Sequence, residues 1–371
     1  MEFTREQVLA YRVAVQGLHR DGSAVDDLGV LDIGVQDAPG YPAALAFAAR
    51  LPAGTDLGTV GPGAGLALAW TLRGAPHVHR RRDLDRIGRA LWPLSEADAA
   101  GRLNESGPSI ARQGIPALEQ FGLAVAAMRE VVRAPVAKGA ASTAVTQRIP
   151  PVMWRDCRVC KAQHVSDSAM RAAAPAAGLE IEPDTSPPVL LPRAGARRPS
   201  RVDRAAVREL VRGYLTYLGP AGPAEAAGYF GARRADVEAL WPDDLVEVRA
   251  AGRAAWLPTG ALDPIGVAPE PDAVRLLGPF DPYLQARDRD LMVPDKALHK
   301  LLWPVLGRPG AVLVDGEVAG VWRPKTSGRR LTLTVESFGP LRPAVWRQVE
   351  DEAQRVAEVR DAGDVAVVRV E

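Results

Sequence analysis

The chain has 371 residues and a mass of 39.5 kDa, a length that suits two or three domains. Its 47% hydrophobic and 25% charged residues exclude a disordered chain, and a formal net charge of +1 excludes a strongly basic tail. Two Cys residues exclude a disulfide scaffold, and no apolar run reaches the roughly 18 residues of a membrane helix. The N-terminus mixes acidic and basic residues from position 2 onward, unlike a signal peptide, so a cytoplasmic protein is expected. Only five of the 46 basic residues are Lys. Arg suits bidentate contact with phosphate and guanine, but genomic base composition produces the same excess.

Residues 4–19 read as an amphipathic helix, with Thr4 and Gln7 at capping-box spacing and Val8, Leu9, Val13, Val15 and Leu18 on its apolar face. A second short helix is expected from Tyr41 to Leu51. Between them LGVLDIGVQDAPG is an apolar segment that breaks at Pro39-Gly40. Residues 66–80 read as a helix end running into a strand, and 83–92 as a helix. Helical spacing of Leu118, Phe121, Val125, Met128 and Val132 predicts a helix over 114–133. WRDCRVCKAQHV precedes an Ala-rich helix within 151–180, and the Pro-, Ser- and Arg-rich stretch 182–204 reads as a linker.

Residues 203–218, 223–231 and 232–241 read as three helices, with a turn at Gly231 between the last two. LVEVRA and AAWLP then flank a Gly252-Arg253 turn. Three helices followed by a hairpin make a winged helix-turn-helix. A second hairpin is expected over 311–335 with KTSG at its tip, then a helix over 340–359 and a terminal strand, DVAVVRV. The fold class is therefore mainly α with small β-hairpins (α+β).

The run Gly61-Pro62-Gly63-Ala64-Gly65 lacks the Lys-Ser/Thr of a phosphate loop, and neither HExxH nor GxSxG occurs. Cys157, Cys160 and His164 have metal-like spacing but give three ligands where a structural zinc needs four; Asp156, His77 or His79 would have to supply another. The expectation is no metal and no cofactor. Arg73, His77, Arg80, Arg81 and Arg82 crowd one short run, which reads as a phosphate-facing surface or as a solvated helix start, with His77 itself readable as a satisfied structural His. Gln36-Asp37 closes an apolar segment. The pair can orient a water and stabilise positive charge, or serve as a helix cap or Asx-turn.

VLDIGVQDAP, WTLRGAPH, YLGPAGPAEAAGYFG, LLGPFDPYLQARDRD and LVDGEVAGVWRPKTSGRRLTLTVESF are spread from residue 30 to 338. Together they resemble the winged-helix family that includes the AlkZ and YcaQ DNA glycosylases. The resemblance implies three tandem winged-helix units in a C-shaped arrangement around duplex DNA, divided here as 1–112, 113–200, 201–262 and 263–371. It implies excision of alkylated purines, in some members with unhooking of interstrand crosslinks, in repair or toxin self-resistance. The partner would be double-stranded DNA, the protein a nucleoid-associated monomer.

The family's catalytic motif, Gln, an apolar residue, then Gln or Asp, falls on GVQDAP. Gln36 fits its first position, with the acid displaced to Asp37, or its last, with Gly34 in the first; either way one polar member is missing. The resemblance thus makes Gln36 and Asp37 the catalytic candidates. It places the DNA-probing hairpin at WRPKTSGRRL, with Arg323, Lys325, Arg329 and Arg330. The alternative is a winged-helix DNA-binding protein without catalysis.

Overall fold

The first helix forms where its capping signal puts it. The Gln7 N–H donates to the Thr4 hydroxyl at 3.2 Å, and the Thr4 N–H donates to Gln7 Oε1 at 2.9 Å, opening a helix over Arg5–Val15. The computed structural model describes residues 1–105, 107–197 and 199–370. Arg198, inside the stretch read as a linker, lies outside them.

The described residues form two compact units: Met1–Gly58, Arg212–Glu225 and Asp243–Glu371 make one, Thr59–Val211 and Ala226–Pro242 the other. Strands and helices are mixed in both. The β content exceeds the small hairpins expected from the sequence, so the fold is mixed α and β.

The first unit holds a five-stranded sheet in the order Val274–Leu277, Gly310–Val314, Glu317–Ser327, Arg330–Ser337, Asp364–Val370. The first three junctions are antiparallel and the last is parallel, as a helical crossover through Pro343–Val359 requires. That helix buries Val345, Val349, Ala353, Val356 and Ala357 against Leu331, Leu333 and Val335 of the sheet. The helical spacing on one side and the period of two on the other show why each sequence took its form.

The hairpin tip departs from expectation. Lys325, Thr326 and Ser327 pair in register with Thr332, Leu331 and Arg330, so the turn is the two residues Gly328-Arg329 rather than KTSG. Gly328 has φ +57°, the left-handed backbone a type II′ hairpin turn needs at its first central position. Pairing continues to the last residue before this turn because such a turn matches the strand twist.

Two buried ion pairs bind the N-terminal part of this unit to LLGPFDPYLQARDRD. Arg12 grips Asp288 with two hydrogen bonds of 3.0 and 2.6 Å, and Arg50 grips Asp281 with two of 2.8 Å. Arg12 and Arg50 are both 0% exposed. Losing one partner of such a pair strands a buried charge, at a cost of about 3–5 kcal/mol.

In the second unit, Leu66–Trp70 is a strand and not a helix end. It pairs antiparallel with Pro76–Arg80, and Leu68 also registers with Ile181. All five of its residues are buried, which is why LALAW shows no alternation. The supposed linker also carries a strand, Val189–Pro192, which pairs with Leu179–Ile181 on one side and Val136–Ala137 on the other. Its Leu190 is 0% exposed, and these long-range pairings outweigh the flanking prolines. Helices Ala117–Val131 and Asp167–Ala177 pack against each other within this unit.

Candidate active site and nucleic-acid interface

Gln36 stands at the end of a segment fixed from both sides. Leu31, Ile33 and Val35 are each 0% exposed, while Gln36 and Asp37 are half-buried at its mouth. The Tyr217 hydroxyl donates to Asp32 Oδ2 at 2.9 Å and holds the start of the segment. Gly34, at φ +81°, turns the chain from a 3₁₀ turn over Gly29–Asp32 into the two-residue strand Val35–Gln36. A glutamine at position 34 would be strained in that left-handed conformation, which gives a physical reason for glycine in the register that ends on Gln36.

Asp37 Oδ1 accepts from the Ala43 N–H at 3.2 Å, so this carboxylate caps the helix Pro42–Ala48. The cap reading left open by the sequence is thus present at one of its oxygens. The far end of the same helix is held by Arg355, whose Nη2 donates to Ala48 O and Leu51 O at 2.8 Å. Arg360 Nη1 donates to Gly40 O at 3.1 Å. The segment from residue 40 to 51, which follows Gln36, is therefore clasped by side chains about three hundred positions later in the chain.

The two basic runs have opposite fates. In the first, His77 is 1% and His79 0% exposed. His77 Nδ1 donates to Ala75 O at 2.9 Å, and His79 Nε2 lies 3.0 Å from the Thr71 hydroxyl. Burial above all, then the charges of Arg73 and His79, hold the His77 ring well below the usual imidazole range, so it is neutral at pH 7. Arg80 is 7% exposed and pairs with Asp83. Arg81 pairs with Glu180 and donates to Gly61 O and Ala64 O. Arg73 donates to Tyr229 O and lies over the Tyr229 ring at 5.1 Å. Arg82 is the exposed member of this run.

In the second run, Arg323, Lys325, Arg329 and Arg330 are all exposed. Alternation sets Arg323, Lys325 and Arg330 on the face opposite Trp322, Leu331 and Leu333, which are buried in the core. Arg323 Nη1 also donates to Gly307 O at 2.7 Å. Both this hairpin and the Gln36 segment belong to the first unit.

Sequence reasoning missed a cleft of about 400 Å³ in the second unit, lined by Arg73, Arg102 and Arg171 with Asn104, Asp167 and Phe230. Arg102 pairs with Asp98 and Arg171 with Asp167. The two i,i+4 pairs were visible in the sequence, but their convergence across some seventy residues was not. Among the described residues, the group able to hold a metal is Cys157, Cys160 and His164, whose ligand atoms lie within 4.8 Å of one another.

Against known proteins, a family model described as DNA glycosylase AlkZ-like matches residues 25–359. No curated protein sequence matches. Among solved structures, the Streptomyces sahachiroi DNA glycosylase AlkZ is similar over 100% of both chains, with a TM-score of 0.75 and 19% identity.

Proposed function

Since the chain belongs to the AlkZ-like DNA glycosylase family, we propose that it hydrolyses the N-glycosidic bond of alkylated purines in duplex DNA, using Gln36 to place the water and Asp37 to stabilise the cationic sugar. The observation that carries the residue assignment is the Gln36 segment itself: a carboxamide half-buried at the mouth of a segment whose apolar side chains are all buried, with a carboxylate beside it. A positioned side chain needs such a rigid support.

The chemistry suits so sparse a site. A purine alkylated at N7 or N3 already carries positive charge and leaves without being protonated. The protein has to orient one water, which a carboxamide does with one donor and one acceptor, and to favour an oxocarbenium-like sugar, which a nearby anion does. A base so activated needs no tight extrahelical pocket, and the reading extends to bulky adducts and interstrand crosslinks. The exposed side chains of Arg323, Lys325, Arg329 and Arg330 supply phosphate contacts. Three tandem winged-helix units are part of the same reading, supported by the order of three helices and a hairpin over Arg204–Leu218, Pro223–Phe230, Arg234–Glu238, Leu245–Ala250 and Arg253–Pro258.

Incubation with duplex containing N7-methylguanine, followed by alkaline cleavage of abasic sites, tests the proposal. Gln36→Ala is expected to lower base release on the order of 10²-fold, with duplex affinity unchanged. Asp37→Asn is expected to slow the reaction as well while keeping an acceptor for the Ala43 N–H. Wild-type protein that binds duplex but releases no base from it would establish the DNA-binding reading without catalysis, which the capping role of Asp37 favours. Sensitivity of a deletion strain to a simple methylating agent, against a crosslinking one, separates general repair from self-resistance.

A further inference from the structure

The short hairpin Arg155–Cys157 and Ala162–His164 has no buried residue in either strand. Every residue from 158 to 163 is exposed, and Val159 at its tip is 91% exposed. An isolated pair of three-residue strands is unstable in water. Its base is well anchored: Trp154 Nε1 donates to Thr146 O at 2.9 Å, Arg155 pairs with Glu105, and the Val165 N–H donates to the Thr146 hydroxyl at 2.9 Å. Beyond that base, Gln163 Nε2 donates to Asp156 Oδ1 at 3.1 Å across the strands, and Cys157, Cys160 and His164 converge as one ligand cluster.

The tip has the form of a metal knuckle. The Cys160 N–H points to Cys157 Sγ at 3.4 Å, and Lys161, at φ +52°, folds its N–H back to Cys157 O at 2.8 Å. This turn brings both sulfurs to one side. His164 Nδ1 donates to Val165 O at 2.6 Å, which fixes the tautomer and leaves the Nε2 lone pair for a ligand. Two thiolates on a tetrahedral zinc stand about 3.8 Å apart, so a cluster already within 4.8 Å needs only a small contraction to close on the ion.

We propose that Cys157, Cys160 and His164 bind one zinc ion, with water completing the tetrahedron at the exposed Cys160 side, and that the ion staples the hairpin. Two thiolates and an imidazole are a donor set for zinc rather than for calcium or magnesium. Of the fourth ligands the sequence offered, His77 and His79 are buried and hydrogen-bonded to Ala75 and Thr71, and Asp156 accepts from Gln163 Nε2 at 3.1 Å. Binding releases the thiol protons to solvent.

The full chain, purified under reducing conditions without chelator, is expected to carry one zinc by elemental analysis after gel filtration. Cobalt substitution should give thiolate-to-metal charge-transfer absorption and the intense visible bands of four-coordinate Co²⁺. Cys160→Ser, at an exposed position, should lose the zinc while keeping the wild-type circular dichroism. Chelation should speed tryptic cleavage after Arg158 or Lys161 by about tenfold or more, because the open hairpin becomes populated. A reduced wild-type chain with no zinc and no cobalt charge-transfer band overturns the proposal, as does full zinc retention by Cys160→Ser or isolation of the chain with Cys157 and Cys160 joined as a disulfide.

Discussion

Residues 73–82 and residues 323–330 look alike as sequence, each a short run dense in Arg around a turn, yet the first, save for the exposed Arg82, is spent on partners within the protein and the second is displayed outside it. The difference lies in what flanks each. Leu66–Trp70 is buried on every residue, so its partner strand Pro76–Arg80 inherits burial on both faces, and its cations must find partners indoors. The C-terminal hairpin has a helix under one face only. Alternation then sends Trp322, Leu331 and Leu333 inward and Arg323, Lys325 and Arg330 outward. Clustered arginine is therefore no measure of a nucleic-acid surface until the burial of both strand faces is known.

The largest effect that can break this contrast is on stability. His79→Ala should destabilise the folded chain by about 2–4 kcal/mol, from a cavity and an unpaired Thr71 hydroxyl, as read from urea unfolding. Its salt dependence of DNA binding should stay that of wild type. A marked change in salt slope with intact stability would return this strand to the DNA interface.

Next comes the hairpin. Lys325, Arg329 and Arg330, all replaced by Ala, should leave the melting transition near wild type and weaken duplex binding about tenfold or more at low salt. Each lost phosphate contact should also flatten the slope of log K against log salt by about 0.9. A variant that melts far below wild type would make these side chains structural.

The smallest effect is the pH response of His77. Its pKa is depressed in the folded state, by burial first, so the unfolded chain takes up a proton near pH 6.5 that the folded chain refuses. Stability is complete above that pH and falls below it, by up to about 1.4 kcal/mol per pH unit until the folded pKa is reached. Urea midpoints of wild type and His77→Gln on either side of that pH should diverge on the alkaline side and converge in acid. Parallel profiles would contradict a neutral buried ring.

Local signals were legible wherever one short stretch decides the outcome. Thr4 and Gln7 announced the first helix, and the spacing of Val345, Val349, Ala353 and Val356 announced the late one. What escaped was set by distant partners. LALAW has no period because both its faces are covered, and the strand Val189–Pro192 hides among prolines because it is stabilised by pairing with residues 136–137 and 179–181. At the site, Gln36 and its apolar support could be found from the sequence. The cap reading of Asp37 was open to the sequence as well, since Ala43 lies only six positions on; the commitment of Arg73 to Tyr229 was not, because it depends on where the chain returns.

The clasp of Arg355 and Arg360 on residues 40–51 carries a consequence for cooperativity. The turn and helix that follow Gln36 take these backbone contacts from side chains about three hundred positions away, at and just past the end of the helix Pro343–Val359. Loosening that late helix removes the brace from the early segment, so the two are expected to open as one unit.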